Sequence, residues 1–530
     1  MAEQGRSTVR EVTRELMRGL GLTTVFGNPG STELGFLDEW PDDFRYVLGL
    51  QELCVLSMAD GYAQYTGNAA MVSLHSVGGV GHAMGGIATA FRNHTPLVIL
   101  TGQQSRELLT GEPFLGSVDA TEFPKPYVKF AVEPMRARDV PAAILRAYQV
   151  ATQAPYGPTL VSVPGDDWGQ PADPIVLRPR SSGYAPDPRL LAELAEALRN
   201  SRRPALVVGG SVDADGAAAE VVTLAEKLNA HVWTSPMSGR CSFPEEHPLF
   251  AGFLPPAKVR ITAALADYDL VVVLGAPAFL QHVVIDEQSV ALPPLYLLGD
   301  DDSAHAWAPE GISVRSTVRL GVTALLAELG PTDRPAPAPR ARAAKPEASE
   351  PMTGPYVLSV LSELLPDDAI LVEEIPSNRG DLHEYLPIRH AGGFLTGQSG
   401  VLGFSLSAAV GVSLAQPDRP VVALVGDGSS MYSIQGLWTA AREHTPVTFV
   451  VLDNGQYGAL RNHAHDFGMS KTPGTELGGI DFRALAISLG CDAEYVQTPA
   501  QLAPTLEAAL ASDRPTLVHV RIGGKLREMY

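Results

Sequence analysis

The sequence predicts an α/β protein of three domains, each built around a parallel sheet, and three observations carry that expectation. At 530 residues the chain is too long for one hydrophobic core. Short β-rich apolar runs alternate with helical segments, the signature of βαβ units. Two Pro-containing stretches, Arg178 to Pro188 and Pro331 to Pro351, divide the chain into three parts and read as flexible linkers. Hydrophobic residues make up 45% and charged residues 18%, ordinary for a globular protein. The formal charge of −20 argues against nucleic acid and anionic membrane surfaces as partners, so any anion site must be local. Cys54, Cys241 and Cys491 show no metal-ligand spacing, as expected of reduced thiols. The N-terminus has no apolar signal core, and no apolar run reaches the ~20 residues of a membrane span. A cytoplasmic protein is expected.

Taken in order, an amphipathic helix from Thr8 to Gly19 leads to a strand, Thr23 to Phe26. The turn Gly27-Asn28-Pro29-Gly30-Ser31 follows, its composition suited to a tight connection. The strand Arg45 to Leu50 ends in Gln51-Glu52, directly before an apolar helix, Leu53 to Ala63. Glu52 is then either a solvated charge at a helix N-terminus or a carboxyl group desolvated between strand and helix. The strand Ala70 to Leu74 ends in His75-Ser76, Leu97 to Thr101 ends in Gly102-Gln103-Gln104, and Thr159 to Val163 closes a domain near residue 180. Ser31, Glu52 and His75 thus fall at strand ends, where α/β sheets bind ligands. The second domain has strands Ala205 to Val208, Leu270 to Leu274 and Leu295 to Leu298. It lacks G-x-G-x-x-G, so a dinucleotide site there is poorly supported. Its His282 carries little meaning alone.

The third domain contains the segment with the most chemistry. A strand, Val421 to Val425, runs into Gly426-Asp427-Gly428-Ser429; a helix from about Ile434 to Glu443 follows, then a strand, Val447 to Leu452, ending in Asp453-Asn454. One βαβ unit therefore brings Asp427 and Asn454 to the same sheet edge. Hard oxygen donors beside exposed backbone amides suit Mg²⁺ bridging a diphosphate. A lone GDG is only a strand-to-helix turn; the Asn after the next strand is what changes the reading.

A GDG so spaced from an Asn resembles the thiamin-diphosphate (ThDP) motif of the 2-oxo acid decarboxylase and acetohydroxyacid synthase superfamily. Further stretches are similar to the benzoylformate decarboxylase branch: VFGNPGS at Val25 to Ser31, LQE at Leu50 to Glu52, DGYAQ at Asp60 to Gln64 and LHS at Leu74 to Ser76. GQQ at Gly102 to Gln104, DDW at Asp166 to Trp168, GAP at Gly275 to Pro277 and YGALR at Tyr457 to Arg461 extend the likeness over all three domains. The resemblance implies three doubly wound parallel-sheet domains: pyrimidine-binding at 1–180, central at 188–330 and, after a linker at 331–351, diphosphate-binding at 352–530. It implies ThDP and Mg²⁺ as cofactors, with Ca²⁺ an alternative ion, held by Asp427, Asn454 and the main-chain carbonyl of Gln456. Gly426, Gly428, Ser429, Tyr457 and Gly458 would contact the cofactor. Leu402 would prop its bent shape, and Glu52 would bond its aminopyrimidine ring. His75 and His282 correspond to the acid/base pair, and Ser31 to the hydroxyl that binds the substrate carboxylate.

The reaction so implied is non-oxidative decarboxylation of a 2-oxo acid to an aldehyde, with a benzoylformate-like aryl compound as substrate. Phe114, Leu115, Leu460 and His463 join Ser31, His75 and His282 as the expected substrate pocket. Two departures bear on it: Asn462-His463-Ala464-His465 replaces the aromatic wall after YGALR, and Pro376 stands where the branch has a hydroxyl residue. A third departure is Asp453, where the motif usually ends Asn-Asn. A carboligase using the same residues is one alternative, and a non-catalytic subunit of the same fold another. The resemblance also implies a homodimer as the minimal active unit and a homotetramer as the assembly.

Overall fold

The computed structural model describes residues 7–469 and 471–524; the first six residues of the N-terminal segment read for a signal core lie outside them. Three six-stranded sheets organise the chain, and neighbouring strands pair in parallel. The first sheet has the order Arg45–Leu48, Thr24–Asn28, Ala70–Leu74, Leu97–Gln103, Thr159–Pro164, Phe130–Val132. The third repeats that order strand for strand: Phe394–Thr396, Ile370–Glu374, Val421–Gly426, Val447–Asp453, Thr516–Arg521, Asp492–Val496. The central sheet runs Ile312–Arg315, Leu295–Gly299, Leu270–Leu274, Pro204–Val208, His231–Thr234, Phe250–Phe253. The expected α/β class of three doubly wound parallel sheets is the one observed.

Burial explains why the strands read as apolar runs. Ala70–Leu74, Leu97–Gln103 and Val447–Asp453 are buried at every position, because helices cover both faces of a parallel sheet. Strand order reverses between Thr24–Asn28 and Ala70–Leu74 in the first sheet, and between Ile370–Glu374 and Val421–Gly426 in the third. These are the switch points where a crevice opens outside the strand ends. The expected strand at 45–50 stops at Leu48, because Gln51 caps the following helix, Glu52–Thr66, by accepting from the Cys54 amide at 3.2 Å. Glu52 is the helix's first residue. Cys54, Cys241 and Cys491 are free and buried. No helix among the described residues is long and apolar enough to cross a membrane.

The first and third domains share one core, which runs from Phe26 and Val72 through Ala408 to Val425 and Phe449. Helix Glu52–Thr66 packs on helix Ser405–Ala415 so closely that backbone meets backbone. A Cβ on Gly61 would lie 2.3 Å from the Ala408 carbonyl oxygen, and one on Gly411 would lie 1.9 Å from that of Met58. Alanine in place of a helical glycine ordinarily adds about 0.5–1 kcal/mol of stability. At Gly61 the sign should reverse: Gly61→Ala is expected to cost about 1–3 kcal/mol through overpacking. Gly78, a helical glycine with open space around it, is the control. Melting curves should show Gly78→Ala at or above the parent and Gly61→Ala below it.

The segment at 331–351, expected as a flexible linker, is instead a pinned strap without regular structure. Arg334 donates to the carbonyls of Ser201 at 2.9 Å and Leu228 at 3.3 Å, and Asn229 donates to the Arg334 carbonyl at 2.7 Å. Further on, Arg342 donates to the Glu245 carbonyl, the Ala343 amide to Glu384, and Lys345 to Glu363. Proline keeps the strap out of helix and sheet, while its Arg and Lys side chains tie it down.

Candidate active site

Two clusters emerge, one in each switch-point crevice. In the first domain Glu52 is buried, 7% exposed, and both its oxygens are engaged. The Asn28 side-chain amide donates to Oε1 at 3.1 Å, and His82 Nδ1 lies 3.2 Å from Oε2. Glu52 is therefore a desolvated carboxyl group and not a solvated helix-end charge. The His75 ring is held by Nδ1, 3.0 Å from both Thr32 Oγ1 and Glu33 Oε2. Glu33 is itself buried and accepts from the Gly30 amide at 2.8 Å and from the Thr32 hydroxyl. This fixes the ring and leaves Nε2 as the nitrogen available for chemistry. Ser31 lies exposed beside the cluster, opening the short helix Ser31–Glu33. Gln104 donates to the Phe114 carbonyl at 2.7 Å and Gln103 to that of Ser117 at 2.9 Å, so the GQQ motif hangs the loop that carries Phe114 and Leu115. The Leu115 carbonyl accepts from the Ser76 hydroxyl at 2.6 Å, next to His75. Phe114 is 86% exposed.

The second cluster lines a cleft of about 610 Å³ that contains Leu402, Asp427, Asn454, Tyr457, Leu460 and His463, together with His282 from the central domain. Gly426, Gly428, Ser429, Gln456 and Gly458 also face it. Asp427 Oδ1 accepts from the Gly428 amide at 2.8 Å; Oδ2 accepts from the amides of Gly455 at 2.8 Å and Gln456 at 3.2 Å. Asn454 Oδ1 accepts from the same Gln456 amide at 3.0 Å, so two adjacent strand ends bring the three expected ion ligands together. The Gln456 carbonyl accepts from the Gly458 amide at 2.9 Å. His282 is anchored by its own amide, which donates to the Pro256 carbonyl at 2.8 Å. Its ring meets that of His463 edge-on at 5.3 Å, and His463 stacks in turn on Phe467. Burial, and then the neighbouring His463 charge, lower the pKa of His282 below the ordinary imidazole value.

The donor set fits Mg²⁺ and a diphosphate. Asp427 is a mostly buried carboxylate pushed up to about 6 by burial, with the Asp453 charge adding to the rise, and a bound cation relieves both. An ion there would be held by one carboxylate, one amide oxygen and one carbonyl; among the described residues no cluster of three or more His, Cys, Asp or Glu is arranged to hold a metal. A Cβ on Gly428 would lie 2.5 Å from the Tyr457 ring, so only glycine lets the backbone come this close to the cleft.

Glu374 lines the same cleft and was not singled out from the sequence, where it reads as the end of an apolar strand. It accepts from the amides of Gly403 at 2.6 Å and Ser405 at 2.8 Å, yet burial pushes it up to about 7. A carboxyl group with a raised folded-state pKa binds a proton that the unfolded chain has already lost. Stability should therefore fall as pH rises from about 4.5 to 7 and level off above, by on the order of 3 kcal/mol for this one group. Melting temperature measured against pH should show that slope in the parent and a shallower one in Glu374→Gln, which cannot titrate. Other features hidden in the sequence are His82 and Asn28 on Glu52, and Thr32 and Glu33 on His75.

None of Ser31, Glu52, His75, Phe114 or Leu115 lines the cleft, whose described walls come only from residues beyond 236. The structure brings Leu402, Asp427, Asn454, Gln456, Tyr457, Leu460, His463 and His282 together, and gathers the first-domain residues separately.

Comparison with known proteins follows the same three-part division. Family models described as the N-terminal TPP binding domain, the central domain and the C-terminal TPP binding domain of thiamine pyrophosphate enzymes match residues 7–123, 191–291 and 375–520. The chain is 42% identical to benzoylformate decarboxylase of Pseudomonas aeruginosa over 519 residues, covering 97% of this chain and 98% of that protein. It is 26% identical to the acetolactate synthase isozyme 2 large subunit of Escherichia coli, over 96% of this chain and 94% of that one. Among solved structures it is similar to benzoylformate decarboxylase of Polynucleobacter necessarius, with a TM-score of 0.96 at 37% identity, covering 98% of this chain and 99% of that chain. The 4-hydroxybenzoylformate decarboxylase of Rhodococcus jostii gives 0.94 at 41%, covering 98% and 100%.

Proposed function

Because this chain belongs to the thiamin-diphosphate-dependent decarboxylase family, among the relatives of benzoylformate decarboxylase, we propose that it removes CO₂ without oxidation from an aryl 2-oxo acid and releases the aldehyde. The observation that carries the reading is the cleft itself, which sets Asp427, Asn454 and Gln456, Leu402 and the His282–His463 pair around one cavity. ThDP, when bound, supplies the carbon nucleophile and the electron sink that the loss of CO₂ requires.

The protein's own part is binding, orientation and proton traffic. Asp427, Asn454 and the Gln456 carbonyl would hold Mg²⁺ beside the diphosphate, with Gly426, Gly428 and Ser429 lining the cleft next to them. Leu402 gives an apolar prop in the cleft wall. Glu52, buried and bonded by Asn28 and His82, is positioned to exchange a proton with the aminopyrimidine. His282, its pKa lowered by burial and by His463, favours the neutral ring that can accept a proton, and His75 offers Nε2 because Thr32 and Glu33 occupy Nδ1. Ser31 would meet the substrate carboxylate. The His282–His463 edge-on pair forms the wall against which the substrate ring would lie.

The reading takes a homodimer as the minimal active unit, with the first domain of one subunit facing the cleft of its partner, and a dimer of dimers as the assembly. Its support is that the first-domain cluster and the cleft each hold half of the required groups. Coupling to an acceptor carbonyl is the second reading, favoured by the acetolactate synthase relatives. A panel of aromatic and aliphatic 2-oxo acids, assayed for CO₂ and aldehyde with and without added aldehyde, tests both. Stoichiometric aldehyde from aryl substrates supports the first reading; hydroxyketone in place of aldehyde would favour the second.

A further inference from the structure

Asp453 stands one residue before Asn454, and its carboxylate is engaged on every side. The Gly455 amide donates to Asp453 Oδ1 at 2.8 Å and to Asp427 Oδ2 at 2.8 Å, so two carboxylates lie side by side on one N–H. Arg521 Nη1 donates to Asp453 Oδ1 at 2.9 Å, and His519 Nε2 lies 2.9 Å from Oδ2. Both partners come from the strand Thr516–Arg521, which pairs with Val447–Asp453 in the register Val451 to His519 and Asp453 to Arg521. Being two residues apart, they point to the same face of the sheet. His519 is 4% exposed, its ring 4.4 Å from that of Tyr495 and 5.3 Å from that of Phe482.

We propose that Arg521 and His519 are positioning residues of the cation loop. They bind and neutralise the Asp453 carboxylate where it sits beside Asp427, which holds the amides of Gly455 and Gln456 on Asp427 and leaves Asp427 as the charge that faces the ion. The inference rests on the reading of Asp427 and Asn454 as ion ligands. It accounts for an acid at the position where the resembling motif carries an amide: residues 453, 519 and 521 form one charge-matched unit. Removal of Arg521 leaves a second, under-compensated carboxylate beside the place where a diphosphate must be held, and loosens the loop.

The test is calorimetric titration of ThDP into the full chain at saturating Mg²⁺, with melting curves to confirm folding. Arg521 is half-exposed at the C-terminal end of its strand, so its replacement should leave the fold intact. Arg521→Met is expected to weaken ThDP binding about tenfold, the size of one charge-assisted hydrogen bond. Adding Asp453→Asn to Arg521→Met removes the stranded charge and should restore affinity to within about threefold of the parent. Parental affinity in Arg521→Met, or a double variant no tighter than Arg521→Met, would overturn the proposal. Asp427→Ala serves as the reference. If it keeps parental affinity, the ion-ligand reading falls and this inference with it; if it loses binding while Arg521→Met does not, the inference alone falls.

Discussion

Glu52→Gln should bind ThDP and turn over ~10²–10⁴-fold more slowly, the usual loss when a positioned general acid/base is removed. The geometry makes this variant informative. Gln is isosteric and can still accept from the Asn28 amide, so the fold and the contact at 3.1 Å can survive while the exchangeable proton does not. His82 alone remains to meet the altered group from the other side. Exchange of the cofactor's C2 proton, followed by NMR on the loaded protein, separates this role from substrate handling. Exchange at the parental rate would remove Glu52 from proton transfer.

Mixing two inactive proteins should give back activity. Glu52→Gln keeps an intact cleft, and Asp427→Ala keeps an intact first-domain cluster. In a dimer that joins one of each, Glu52 from one subunit meets Asp427 from the other at one of two sites. Random exchange makes half of the dimers mixed, so about a quarter of parental activity is expected for a symmetric pair. Mass spectrometry must first confirm that mixed dimers form. Confirmed mixed dimers no more active than either parent would refute the shared site. Asp427→Ala by itself is expected to lose Mg²⁺-dependent ThDP binding, because the amides of Gly428, Gly455 and Gln456 then converge on nothing.

Strand ends were legible in the sequence because fully buried parallel strands are written as apolar runs that stop where the chemistry begins. Asp427 and Asn454, Glu52 and His75 could each be placed at such a stop. What stayed hidden was the side-chain pairing between strands. His519 lies 66 residues from its partner Asp453, and no local pattern joins them. Glu374 reads as the last residue of a strand, and only the closed turn around Gly403 and Ser405 shows how deeply it is buried. The strap at 331–351 shows the same limit. Proline-rich composition reports the lack of regular structure, but says nothing of carbonyls elsewhere that Arg334 and Arg342 can reach. His82 was missed because its contact depends on a helix, Ser76–Arg92, passing over the end of another.

The seam between helices Glu52–Thr66 and Ser405–Ala415 has a consequence for how this protein behaves in solution. Glycine set against backbone allows no slippage, so the two related domains of one chain cannot swing to bring Glu52 toward the chain's own cleft. On the shared-site reading, folding completes the parts but not the catalyst, and competence becomes a matter of mass action. Specific activity should hold constant while subunits outnumber the dissociation constant of their pair, then fall in proportion to concentration on further dilution. A folded, cofactor-free chain at high dilution would be a reserve of half-sites that becomes an enzyme upon meeting another copy of itself.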